Sequence, residues 1–172
     1  MSVELLPRQR LSTRELVVMA VLTGLLLAVQ VALAALPNIE LVSLLIVLYT
    51  RRFRLKTLLI IYAFAVLEGL VYGFGMWFIN YLYVWTVLWG LTMLLIDMRG
   101  TLGWVALLGG FGLGFGALCS LPYLVIGGFP TMATYFLSGI PFDLLHALGN
   151  AVLAAALFKP LDQLMVCAVK NL

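Results

Sequence analysis

The sequence predicts an all-α integral membrane protein, a compact bundle of six transmembrane helices forming one domain over residues 1–172. Three observations carry this. Hydrophobic residues make up 65% of the chain and charged residues only 10%, against roughly a quarter charged in a soluble domain. The mean hydropathy is +1.16. The apolar residues also gather into six runs divided by basic clusters or turn residues, and a crossing takes about 20 residues. An ordinary soluble globular domain is excluded. The net charge of +3 is explained by basic residues that flank apolar runs one after another, a topology signal rather than a nucleic-acid surface. Cys119 and Cys167 offer neither a disulfide framework nor metal-ligand spacing.

Residues 1–15 form a polar arm with Arg8, Arg10 and Arg14. The first helix follows at 16–36, too long in its apolar part for a signal peptide. Along it Ala20, Gly24, Ala28 and Ala32 recur every four residues and leave a smooth ridge for close approach of another helix, from this chain or from another protein. Pro37-Asn38 marks a turn, and the second run, 39–50, is stopped by Arg51, Arg52, Arg54 and Lys56. Twelve helical residues reach about 18 Å, short of a ~30 Å hydrocarbon core. The expectation is a turn sunk below the outer membrane surface, with Asn38 and Glu40 inside a depression.

The third helix, 57–75, carries Glu68 at a height of ~18 Å above Lys56, with Tyr72 one turn beyond on the same face. A link at 76–80, ending in Asn80, leads to the fourth helix and its stripe of Tyr81, Trp85 and Trp89. Tyr81 suits an interfacial belt. Trp85 and Trp89 lie deeper and suit core packing or a stacking wall for a planar ligand. The fifth helix, 102–126, contains Gly109, Gly110, Gly112, Gly114 and Gly116, which permit very close helix contact. No phosphate-binding G-x-x-x-x-G-K-[ST] motif is present. Residues 127–134 are expected to be the longest loop, a candidate lid. The sixth helix is expected from Ser138 or Gly139, with Pro141 in its first turn, to Lys159-Pro160, and a short tail at 161–172 follows.

This assignment puts all ten Lys and Arg residues on one side, which the positive-inside rule makes cytoplasmic together with both termini. Glu40, Glu68 and Asp143 lie on the other side without any cation. They must be solvated, protonated, hydrogen-bonded or matched by something arriving from outside. Asp143, His146 and Asn150 are spaced three and four apart and share a helix face. Counted from Lys159 they stand at heights of ~24, ~20 and ~14 Å. Plain structural roles stand beside each: a helix-terminus complement for Asp143, a packing partner for His146, an interhelical hydrogen bond for Asn150. As a set they suggest one wall of an outward-facing pocket, with Glu68, Tyr72, Asn80, Tyr81, Trp85, Asn38 and Glu40 around it. Uncompensated acids favour an amine-bearing or cationic heteroaromatic molecule.

These residues resemble the substrate-binding S component of energy-coupling factor (ECF) vitamin transporters. The likeness rests on the chain length with six apolar segments, the small-residue ridge of helix one, Leu36-Pro37-Asn38-Ile39-Glu40-Leu41-Val42, and Gly139-Ile140-Pro141-Phe142-Asp143-Leu144-Leu145-His146-Ala147 with Asn150. It implies a multi-pass protein of a prokaryotic plasma membrane that captures a water-soluble vitamin or precursor from outside. The site would lie at the outer ends of helices four to six. It further implies docking, through the ridge at Ala20, Gly24 and Ala28, onto a transmembrane coupling protein that works with two ABC-type ATPases. Those partners would use ATP, and this chain would bind no cofactor. Other readings are a proton- or ion-coupled secondary transporter using Asp143 and Glu68, and a non-catalytic assembly subunit. A serine enzyme built on Ser138, Asp143 and His146 is disfavoured, because eight helical residues put ~12 Å between Ser138 and His146.

Overall fold

The computed structural model describes residues 11–169. Most of the polar arm expected at 1–15, and the tail residues 170–172, lie outside the described residues. The chain forms α1 (Thr13–Leu33), α2 (Val42–Phe53), a 3-10 turn (Arg54–Lys56), α3 (Thr57–Tyr72), α4 (Met76–Leu94) and α5 (Thr101–Val169). No strand occurs among the described residues. Four stretches are long and apolar enough to cross a membrane: α1, α2 with α3, α4, and α5.

Helix α1 starts at a capping box in which Ser12 Oγ accepts from Glu15 N at 3.1 Å and Glu15 Oε2 accepts from Ser12 N at 3.0 Å, satisfying two amides that lack helical partners. It buries Met19, Thr23 and Leu26 and lies beside α3. Ala20, Gly24, Ala28 and Ala32 stay exposed on another face.

Helix α2 is the centre of the fold. Every residue from 42 to 50 is buried, and the helix touches α1, α3, α4 and α5. It runs to Phe53, so Arg51 and Arg52 fall inside its last turn instead of ending it. The reason is that both have partners there. The Arg51 guanidinium lies 5.0 Å from the Trp104 ring and 5.2 Å from the Phe158 ring, and Arg52 meets Asp162 at 2.6 Å. At the following corner Arg54 has φ 53° and ψ −122°, a backbone state rare for a residue with a side chain, and its carbonyl accepts from Trp89 Nε1 at 3.1 Å. Trp89 therefore braces this corner. Lys56 pairs with Glu15.

The largest departure from expectation is α5. Residues 127–134 form no long loop: only Gly127 and Gly128 leave helical geometry, with Gly128 at φ 72°. Pro130 sits in the first turn after the break, where its missing amide hydrogen costs nothing. The second arm thus begins about ten residues earlier than Ser138, and Pro141 is interior to it. The helix also continues through Pro160 to Val169, because Asp162 is held by Arg51 and Arg52 and Met165 is buried. The arms 101–126 and 129–169 run antiparallel, with Gly109 opposite Ala151, Gly112 opposite Ala147 and Gly116 opposite Asp143.

A Cβ at Gly112 would lie 2.8–2.9 Å from the backbone of His146 and Ala147, so the glycine sets the distance between the arms. At Gly110 a Cβ would meet nothing within 4 Å. Gly112→Ala is therefore expected to lower the melting temperature in detergent, with a destabilisation of roughly 1–3 kcal/mol, whereas Gly110→Ala should leave it unchanged or raise it. Equal melting curves for the two variants would contradict this packing.

Candidate functional site

Residues 34–41 turn between α1 and α2 and fold inward onto the second arm of α5. Asn38 adopts φ 56°, which asparagine tolerates better than most residues, and its Nδ2 donates to the Phe142 carbonyl at 3.1 Å. Two residues on, Glu40 is the acidic complement of the α2 N-terminus: Oε2 accepts from Ser43 N at 2.8 Å. Its other oxygen accepts from His146 Nε2 at 3.1 Å, which assigns a proton to that ring nitrogen. Burial, the largest single influence on Glu40, pushes its pKa up, but the His146 and Ser43 interactions together outweigh it and hold the carboxyl below the ordinary range.

Beneath this turn lies a cavity of about 410 Å³, a size suited to one small molecule. Its lining includes Asn38, Glu40, Glu68, Tyr72, Tyr81, Trp85 and His146, seven of the residues singled out from sequence. One wall is a chain of rings: Trp77 to Tyr81 at 5.2 Å, Tyr81 to Trp85 at 5.2 Å, Trp85 to Phe115 at 5.7 Å and Phe115 to His146 at 4.8 Å. All but the tilted Trp85–Phe115 pair are edge-to-face, a geometry that holds aromatic planes in fixed orientations. Glu68, on α3, is 2% exposed and has no hydrogen-bond partner or cation among the described residues. The Trp85 indole N–H is likewise unpaired. Among the described residues no lysine or arginine lines the cavity.

Three expected site residues stand elsewhere. Asp143 faces away from this cavity and lines a neighbouring one. The reason is the helix rotation imposed by the glycine-mediated contact, which turns Asp143 toward Gly116, whose N–H it accepts at 2.9 Å, while His146 turns toward Glu40. Asn150 is buried against the bundle and lines neither cavity, its Nδ2 unpaired among the described residues. Asn80 accepts from the Tyr83 hydroxyl at 3.2 Å, a hydroxyl that also lies 2.6 Å from the Leu118 carbonyl, so Asn80 belongs to the α4–α5 contact. Ser138 and His146 line different cavities, and no nucleophile–base pair forms between them. Among the described residues no group of acids, histidines and cysteines is arranged to hold a metal ion.

Sequence reasoning missed Gln30, Trp77 and Phe115 as wall residues. Gln30 carried a usable signal, being the only amide within the apolar run of helix one. No protein-family model, curated protein or solved structure matches the chain.

The Glu40 environment generates a test of sign as well as size. Its folded pKa lies below the ordinary 4.5, so its ionised form stabilises the protein fully above that value and the contribution is lost as pH falls through the lower folded value. Glu40→Gln should therefore show a shallower loss of melting temperature below pH 4.5 than the parent. Glu40→Ala, which strips partners from Ser43 N and His146, should cost roughly 1–3 kcal/mol at neutral pH. Parallel pH curves for the parent and Glu40→Gln would remove Glu40 from this role.

Proposed function

We propose that the chain is the substrate-binding membrane subunit of an ECF-type importer, capturing a water-soluble vitamin or related heteroaromatic precursor from outside the cell. In this reading the break in α5 and the corner between α2 and α3 divide the four apolar stretches into six crossings. Both termini lie in the cytoplasm of a prokaryotic cell, and the cavity opens outward. The observation that carries the proposal is the cavity itself. It joins a rigid aromatic wall to a carboxylate, Glu68, that has neither partner nor cation among the described residues. Such a site suits a planar molecule bearing an amine or positive charge, held by ring stacking and by a charge-assisted hydrogen bond. The chemistry is recognition, and the chain is not an enzyme.

Energy for release comes from partners: a transmembrane coupling protein and two ABC-type ATPases that use ATP, with no cofactor held by this chain. The exposed ridge of Ala20, Gly24 and Ala28 is the proposed docking face. It is exposed among the described residues, and a Cβ at Gly24 would meet nothing of them within 4 Å.

Native mass spectrometry of the purified chain is expected to find a bound small molecule. Tryptophan fluorescence should report its rebinding from a panel of water-soluble vitamins and nucleobases, with amine-bearing members favoured. Glu68→Gln should weaken binding at least about tenfold, the order of one charge-assisted hydrogen bond, without affecting assembly. Gly24→Leu should do the reverse, abolishing co-purification with the coupling protein while preserving ligand affinity. Absence of any ligand in both assays would sink the proposal.

A further inference from the structure

Asp143 is 6% exposed and is the carboxylate that the aromatic cavity leaves unused. Its own cavity, about 340 Å³, is lined also by Gly116, Cys119, Tyr135 and Ser138, and it shares Asn38 and Phe115 with the aromatic cavity. Oδ1 accepts the Gly116 N–H at 2.9 Å. Among the described residues Oδ2 has no partner, and no lysine or arginine lines this cavity. The fit against the first arm is specific, since a Cβ at position 116 would fall 2.2 Å from Oδ2. A side chain held this tightly, with one carboxylate oxygen hydrogen-bonded and the other unmatched, is an incomplete polar site.

We infer that this cavity is a second chamber of the site, which takes a hydrogen-bond-donating cationic group such as a primary ammonium. Asn38 and Phe115 form the waist between the chambers. The ligand is then two-ended: a planar body with one donor for Glu68 in the aromatic chamber, and a separate amine-bearing end for Asp143. The two-ended ligand rests on the binding function proposed above. The cation preference of the chamber does not.

Cys119 is a reporter already in place. In a Cys167→Ser background, mass spectrometry of the detergent-solubilised full chain follows its modification by 2-aminoethyl methanethiosulfonate, a cation, and by 2-sulfonatoethyl methanethiosulfonate, an anion. The ratio of the two rates is expected to fall at least about tenfold on Asp143→Asn, the low end of what a fixed charge does to local concentration in a low-dielectric cleft. The asparagine keeps an oxygen for Gly116 N–H, so the fold is retained. Ser138→Cys in a Cys119→Ser, Cys167→Ser background moves the reporter to the exposed rim, with the same dependence on Asp143 expected, and decides the matter if Cys119 itself does not react. A rate ratio indifferent to Asp143 at the reporter that reacts, or no reaction at either, overturns the inference. Labelling that follows Asp143 while native mass spectrometry finds no ligand keeps the chamber and removes the transport reading. A bound ligand with Asp143-independent labelling does the opposite.

Discussion

A helix buried on every side from residue 42 to residue 50 has no face left for lipid or water, so its charged contacts are made at its two ends. At the N-terminus Glu40 supplies the negative charge that unpaired amides attract. At the C-terminus Arg51 and Arg52 supply positive charge, and Asp162 answers them. Both ends reach the same element: His146, which holds Glu40, and Asp162, which holds the arginines, lie on the second arm of α5. The ends of α2 are thereby pinned to one long helix. The surrounding helices supply the apolar walls that make such burial favourable. Short length follows from this arrangement: a central helix that stops early leaves a depression above its N-terminus, and the 34–41 turn sinks into it.

The second arm of α5 can serve both cavities only because it lies so close to the first. Gly112 and Gly116 remove the side chains that would hold the arms apart, and the resulting rotation sends Asp143 and His146, three residues apart, to different neighbours. On an isolated helix they would be read as one face. In the bundle the boundary between two cavities runs between them, occupied by Phe115 and Asn38. Backbone proximity, more than helical periodicity, decides which polar residue meets which space.

Much of this was legible in the sequence. The all-helical class followed from composition, and the turn before α2 from Pro37-Asn38. Seven of the residues that line the aromatic cavity were marked out by the turn before the second run, by uncompensated acids, by aromatics and by the spacing of His146. The failures share a physical cause. Gly127-Gly128 and the prolines around them signalled a loop, yet an isolated Gly-Gly break suffices to reverse a helix when the next proline falls in a first turn. Lys159-Pro160 signalled a stop, but tertiary ties at Asp162 and burial at Met165 carried the helix onward. Arg51 and Arg52 signalled a helix boundary because the rings of Trp104 and Phe158, far away in sequence, were invisible to local reasoning. Phe115 was hidden for a related reason: among five glycines its ring did not register as a wall.

The carboxylates that began as an unexplained set sort themselves by whether the fold already satisfies them. Glu40 has both oxygens occupied, by His146 and by Ser43, so it belongs to the architecture: its charge is spent on α2 and on fixing the imidazole. Asp143 has one oxygen occupied. Glu68 has neither occupied among the described residues, although it is almost wholly enclosed. A buried acid left unmatched is unfavourable to the free protein, and a ligand that completes it relieves that burden on binding. Differential satisfaction of this kind couples affinity to the same groups that weaken the empty state. The proposed recognition chemistry is thus strongest where the fold is least satisfied, at Glu68 and Asp143, while Glu40 and His146 keep the wall between them rigid.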